Sequence, residues 1–244
     1  MTHIETVDII KIGIFKALCS LRRERNFMMK KHGFTLAEVL ITLAIIGVVA
    51  TITLPALMSN TQEQQAITAF RKSMNTLNEV GQMNAAVDGF DYSGIATSTE
   101  PNTSAVYEDG VLDQSVWGMM VSKAQVDVAS SVDGGVTGAC DGLKQVFFRD
   151  GTVLCYDAST TTNGATADEA LINAFIDTNG KKAPNQLSTC DDENCTGANK
   201  NIKDQFAITL KGTNALPGNV TFQDGAPIEG DDAQTTAARW AMRK

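Results

Sequence analysis

The 24 residues from Phe34 to Leu57, FTLAEVLITLAIIGVVATITLPAL, constrain this chain more than any other stretch. As a helix they would rise about 36 Å, enough to cross a bilayer core of about 30 Å. Lys30 and Lys31 precede them, and basic residues on that side hold it in the cytoplasm and send the remainder outward. One residue does not suit lipid. Glu38 sits just inside the run, where a carboxylate costs about 2.5–3.5 kcal/mol at the bilayer centre and less near the interface. A charge kept in such a place needs a partner.

A secretory signal is normally cut after its apolar region, at small residues. Here the small residue beside the basic cluster is Gly33, ahead of the apolar run. A cut there would leave the anchor on the mature chain and create a new amino group on Phe34, about one helical turn from Glu38. In a packed array that cation can meet the glutamate of a neighbouring subunit, so that association relieves the desolvated charge.

Charge and histidine content exclude several classes. Seven of the 20 Lys+Arg and three of the 28 Asp+Glu precede Phe34, leaving 13 against 25, a net charge of −12 for the rest. Such a remainder has no general attraction for nucleic acid, and no nucleic-acid partner is expected. His3 and His32 are the only histidines; beyond Phe34, Ser-His-Asp, Cys-His and His-ligated zinc chemistry are impossible. No catalytic residue is assigned, and the chain is read as a non-enzyme. Four of the five cysteines, Cys140, Cys155, Cys190 and Cys195, lie in the exported part. An even set there reads as two disulfides with three connectivities. The sequence-local pairs Cys140–Cys155 and Cys190–Cys195 are favoured over a four-Cys zinc site, which lacks paired CxxC knuckles.

After Pro55, which removes a backbone donor and bends or locally melts a helix, the pattern turns amphipathic. Leu57, Ala66, Ile67, Phe70, Met74, Leu77 and Val80 recur near helical spacing, predicting one face packed on a globular domain while Gln62, Glu63, Arg71 and Lys72 stay wet. The helix should end around Gly89. Val111–Val121 predicts a short helix or strand, with Trp117 as a core anchor. KQVFFRDGTVLCYD, residues 144–157, predicts a hairpin at Asp150-Gly151. Further strands are expected at Ala174–Asp177, Gln205–Lys211 and Asn219–Gln223.

GFTLAEVLITLAIIGVVATITLP resembles the N-terminal signature of type IV prepilins and type II secretion pseudopilins. DGTVLCYD, AFIDTNGKKAPN and DQFAITLKG resemble, more loosely, the C-terminal part of Gram-negative pilin-like proteins. The resemblance implies an α+β, type IV pilin-like fold, a long N-terminal helix packed on a small antiparallel sheet. It implies a leader at 1–33, a transmembrane and filament-core half-helix at 34–57, an amphipathic half at 58–88, a variable connector at 89–139 and a sheet domain at 140–244. It also implies cleavage after Gly33 by a prepilin peptidase, methylation of Phe34, and assembly roles for Phe34 and Glu38. The implied partners are an inner-membrane assembly platform and other pilin subunits. The implied location is the inner membrane, with the C-terminal domain periplasmic, before assembly into a filament. A leader of 33 residues is long for the family; a start at Met28 or Met29 gives MKKHG, a typical short one.

Major pseudopilins bind calcium in a comparable C-terminal loop, and the resemblance points there to Asp177, Asn179, Asn185 and Asp204. Oxygen donors suit Ca²⁺. Read from the residues alone, Asp-x-Asn-Gly is an ordinary turn with Gly180 free to take positive φ, and Lys181 and Lys182 add cations beside it. No other cofactor is expected. Within the family, a pilus subunit, a secretion pseudopilin and an adhesive or DNA-catching tip subunit remain alternatives.

Overall fold

The computed structural model describes residues 34–104, 106–166, 169–196, 200–223, 226–229 and 232–244, with side chains for all of these except 55–56, 221–223 and 226–229. The leader, both alternative starts and Gly33 lie outside the described residues, as does the side chain of Pro55. The chain divides into two compact units, Met1–Thr53 and Leu54–Lys244. Helix α1, Leu36–Val87, contributes to both.

In the first unit, the described part is the apolar stretch of α1. Its aliphatic side chains, from Leu36 to Ile52, are exposed. The helix is long and apolar enough to cross a membrane, and its threonines return their hydroxyls to their own helix. Thr42 Oγ1 donates to the Val39 carbonyl at 3.0 Å and Thr51 Oγ1 to Val48 at 2.8 Å, leaving little unpaired polarity to desolvate.

The second unit is built on a six-stranded antiparallel sheet. Its strands are β3 (Val126–Asp127), β4 (Lys144–Phe148), β5 (Val153–Tyr156), β6 (Ile172–Asp177), β9 (Gln205–Lys211) and β10 (Asn214–Pro217), in the order β10-β9-β6-β5-β4-β3. Three two-stranded ribbons flank it: β1 (Tyr107–Glu108) with β2 (Val111–Leu112), β7 (Thr189–Cys190) with β8 (Lys200–Asn201), and β11 (Val220–Gln223) with β12 (Ala226–Glu229). Helices α2 (Val116–Lys123) and α3 (Val128–Asp133) precede β4, and α4 (Ala233–Arg243) closes the chain.

The period of two along each strand sorts residues to two faces. Phe206, Ile208 and Leu210 on β9, Ile172, Ala174 and Ile176 on β6, and Leu154 and Tyr156 on β5 join the main core with Ile67, Phe70, Met74, Leu77 and Val80 of α1. Phe70 stacks on Phe206 with ring centroids 4.4 Å apart. Tyr92 donates its hydroxyl to the Leu77 carbonyl at 2.7 Å, and burial pushes that phenol's pKa up. The opposite face carries Phe147, Val153 and Cys155, covered by Val136, Cys140 and Leu143.

The wet and dry positions on α1 differ in part from the amphipathic pattern. Leu57 is 62% exposed, because the contact with the sheet begins further along the helix. Glu63 is not wet; it pairs with Lys200. Arg71 is half-buried, its Nε donating to the Ala241 carbonyl of α4 at 2.8 Å. The departures at Glu63 and Arg71 come from α4 and its neighbourhood, which pack beside α1. Asp232 caps α4 by accepting from Thr235 N at 2.6 Å, and Ala237, Ala238, Trp240 and Ala241 are buried. The region 111–121, expected to be a short helix or a strand, holds one of each, strand β2 and most of α2, and Trp117 is buried. The sheet takes its edge strand β3 from the stretch assigned to the connector.

Candidate processing and assembly site

The described chain starts at Phe34, 86% exposed. Helix α1 begins two residues later, and Thr35 and Glu38 bind each other across its first turn. Glu38 Oε2 accepts from Thr35 N at 2.9 Å and from Thr35 Oγ1 at 3.0 Å, while Thr35 Oγ1 accepts from Glu38 N at 3.2 Å. This is a capping box: the threonine satisfies an orphan N–H of the first turn, and the glutamate reaches back to the threonine's own. The negative charge also lies at the positive end of the helix dipole. Within one chain, Glu38 therefore already has a partner, supplied by the residue next to Phe34. Both bonds fall on one carboxylate oxygen, and Phe34 stands beside them in the open. The spacing Thr-x-x-Glu ahead of an apolar run is the sequence signal of such a cap.

A family model described as the prokaryotic N-terminal methylation motif matches residues 28–54. The chain carries the hallmark of the type IV prepilin and pseudopilin family. The motif embraces Gly33, Phe34, Glu38 and most of the apolar run, and the long helix with antiparallel sheets is an α+β arrangement consistent with a type IV pilin fold. No curated protein and no solved structure matches the chain. The prepilin motif thus speaks for the anchor, and the domain beyond it is read from its own geometry.

That domain brings together Asp177 and Asn179 of the Asp-x-Asn-Gly turn with Asn185 and Asp204. Asp177 Oδ1 accepts from Asn179 N at 3.0 Å and Gly180 N at 2.7 Å. Asp204 Oδ1 accepts from Gln186 N at 2.9 Å, and its Oδ2 accepts from Asn179 Nδ2 at 3.0 Å and Asn185 N at 2.8 Å. Gly180 takes φ +71°, as the turn requires. Burial pushes the Asp177 carboxyl up to about 6, against hydrogen bonds that favour its charged form, and the neighbouring Asp204 adds to the rise. All four carboxylate oxygens hold N–H donors, and among the described residues no group of three or more His, Cys, Asp or Glu is placed to hold a metal.

Two glutamines organise the same face, and nothing local in the sequence points to them. Gln205 is buried; its Oε1 accepts from Ala139 N at 2.8 Å, and its Nε2 donates to the Thr137 carbonyl at 2.6 Å and to Asp177 Oδ2 at 2.9 Å. Gln145 Oε1 accepts from Val136 N at 2.8 Å, and its Nε2 donates to Val136 O at 2.7 Å and Cys140 O at 3.1 Å. They fasten the 134–140 loop over the sheet. The Cys140–Cys155 disulfide adds a covalent tie to β5, opposite Gln145 in the β4–β5 register. The second disulfide, Cys190–Cys195, closes the acidic loop Asp191-Asp192-Glu193-Asn194.

Proposed function

We propose that this protein is a structural subunit of a type IV pilus-like filament, held in the inner membrane by its apolar helix, cut after Gly33 and methylated on Phe34. The observation that carries this reading is the prepilin motif on a helix whose apolar half is wholly exposed. A side-chain surface of that kind is satisfied by lipid before assembly and by other subunits afterwards. Phe34 and Glu38 act in assembly and Gly33 in processing; no residue is assigned to catalysis. The partners are a prepilin peptidase, an inner-membrane assembly platform and further pilin subunits. Deleting the gene and restoring it on a plasmid tests the reading: surface fibres seen by electron microscopy should vanish and return. Fibres that persist unchanged would refute a role as principal subunit.

One observation favours a second reading, a secretion pseudopilin with calcium at the Asp177 turn. Asn179 Oδ1 is buried without a hydrogen-bond partner, and an unpaired oxygen donor suits a hard cation. Chelation with EGTA should then lower the melting temperature of the domain, and an unchanged melting temperature counts against this reading.

A further inference from the structure

Three asparagines beyond Phe34 open an Asn-x-Ser/Thr triplet with no proline inside it: Asn102-Thr103-Ser104, Asn194-Cys195-Thr196 and Asn219-Val220-Thr221. In an exported chain this triplet is the acceptor signal for N-linked sugar, and it works only where the asparagine stands on an accessible loop. So short a signal recurs by chance, and geometry has to choose among the three. Two of them are already in use. The Asn102 amide donates to the Glu100 carbonyl at 2.8 Å and its Oδ1 accepts from Ser104 N at 2.8 Å, while Pro101 fixes the backbone just before it. Asn219 is half-buried ahead of β11; its N–H donates to Thr235 Oγ1 at 3.0 Å, and the N–H of buried Val220 donates to Thr209 Oγ1 at 2.9 Å.

Asn194 differs. It and Thr196 are exposed, on either side of the buried Cys195. Asp192 holds the backbone between them: its carbonyl accepts from Cys195 N at 3.0 Å and its Oδ1 from Asn194 N at 2.9 Å. The Cys190–Cys195 disulfide closes the same loop. Both groups that an acceptor must present, the amide and the hydroxyl two residues on, thus stand outside with the loop already closed. Asp192 also lies two places before the asparagine, giving Asp-x-Asn-x-Thr, and a carboxylate there offers a transferase a charge-assisted contact beside the hydroxyl. Asn102 has Glu100 at that place, but with the proline between.

We infer that Asn194 is an N-glycosylation site that takes an oligosaccharide from a polyprenyl-diphosphate donor on the folded domain. This rests on the filament reading above, which puts the domain on the outer side of the membrane that carries such donors. In the step, Asn194 Nδ2 bonds to the anomeric carbon of the first sugar. The bond from that carbon to the diphosphate oxygen breaks, and the polyprenyl diphosphate leaves with the electron pair. One amide proton passes to a base of the transferase, so the product keeps the side-chain carbonyl and one N–H. The turn survives the change, because it is held by the backbone N–H groups of Asn194 and Cys195.

The test produces the full chain in a bacterial host that carries a periplasmic oligosaccharyltransferase and its lipid-linked donor, beside the same host without the transferase. Free thiols are alkylated before trypsin digestion, so the peptide 183–200 reports both the sugar and the state of Cys190 and Cys195. That peptide should carry its disulfide and gain the mass of one oligosaccharide only where the transferase is present. Asn194→Gln and Thr196→Ala should each abolish the gain, Thr196→Ser should keep it, and Asn102→Gln and Asn219→Gln should leave it unchanged. Equal melting temperatures of Asn194→Gln and wild type would show that the fold is intact. A disulfide-closed peptide left bare while a reporter acceptor in the same cells is modified, or sugar that survives Asn194→Gln, overturns the site and leaves the filament reading standing. Bare chains whose Cys190 and Cys195 are both alkylated have stayed in the cytoplasm and overturn both.

Discussion

Thr35 and Glu38 close the first turn of α1 on each other, the glutamate accepting the threonine's backbone N–H and the threonine hydroxyl accepting the glutamate's. A carboxylate that seemed misplaced in an apolar segment is thus tied to the helix start. The cap shields the charge within a single chain, and the exposed Phe34 beside it marks where a processed amino group would arise.

Glutamine at position 38 can still cap, whereas alanine cannot. On the filament reading, Glu38→Gln should leave helix content in detergent unchanged but impair polymerisation, because the charge proposed to meet a neighbour's amine is lost. Glu38→Ala should impair both, with about 0.3–1 kcal/mol lost from the helix start. Circular dichroism and filament yield separate the two roles. Glu38→Gln chains that polymerise like wild type would remove the charge from the assembly step.

Gly81 allows α1 to lie close to the turn after β9. A Cβ there would sit 2.7 Å from the Thr213 carbonyl oxygen and 2.9 Å from the Tyr92 ring. Gly81→Ala should lower stability by about 1–3 kcal/mol through overpacking, read as a shift in the denaturation midpoint. At Gly47 a Cβ meets nothing within 4 Å, and Gly47→Ala should leave that midpoint in place.

The two disulfides should differ in their contribution. Cys140–Cys155 spans 15 residues and Cys190–Cys195 spans five. Loop-closure entropy then gives about 3 kcal/mol for the first and about 2 for the second. Paired Cys→Ser variants compared by urea denaturation would check the order, and a larger loss from the 190–195 pair would contradict it.

Asp177 should make the domain less stable as pH rises. Its folded pKa of about 6 lies above the roughly 3.9 of an unfolded aspartate, so the folded state binds its proton more tightly. The stability linked to that proton is full below about pH 4 and is lost as pH climbs through about 6. Unfolding free energies from pH 4 to 7 should fall in the wild type by an amount on the order of 1–3 kcal/mol that is absent in Asp177→Asn. Parallel profiles would remove Asp177 as the cause.

What the sequence disclosed follows from how local each signal is. The hairpin at Asp150-Gly151 was legible because turn and strands are contiguous, and Thr152 bonds Asp150 within the turn itself. Strands β6 and β9 were legible from their apolar residues, though β6 starts at Ile172, two residues before the predicted Ala174. Helix α4 was not. Its buried residues, Ala237, Ala238, Trp240 and Ala241, recur at helical spacing, but they are mostly small alanines in a short segment far from the resemblance. Gln205 could not be found at all, since its partners Thr137 and Ala139 lie 68 and 66 residues away. At the candidate site the residues themselves were legible, and what they do within one chain, the cap, needed the geometry.

The most direct measurement is the intact mass and N-terminal sequence of the chain produced together with a prepilin peptidase. The predicted result is a mature protein that begins at N-methylated Phe34 and keeps its apolar helix. A chain cut beyond the apolar run, or left whole by an active peptidase, would contradict it.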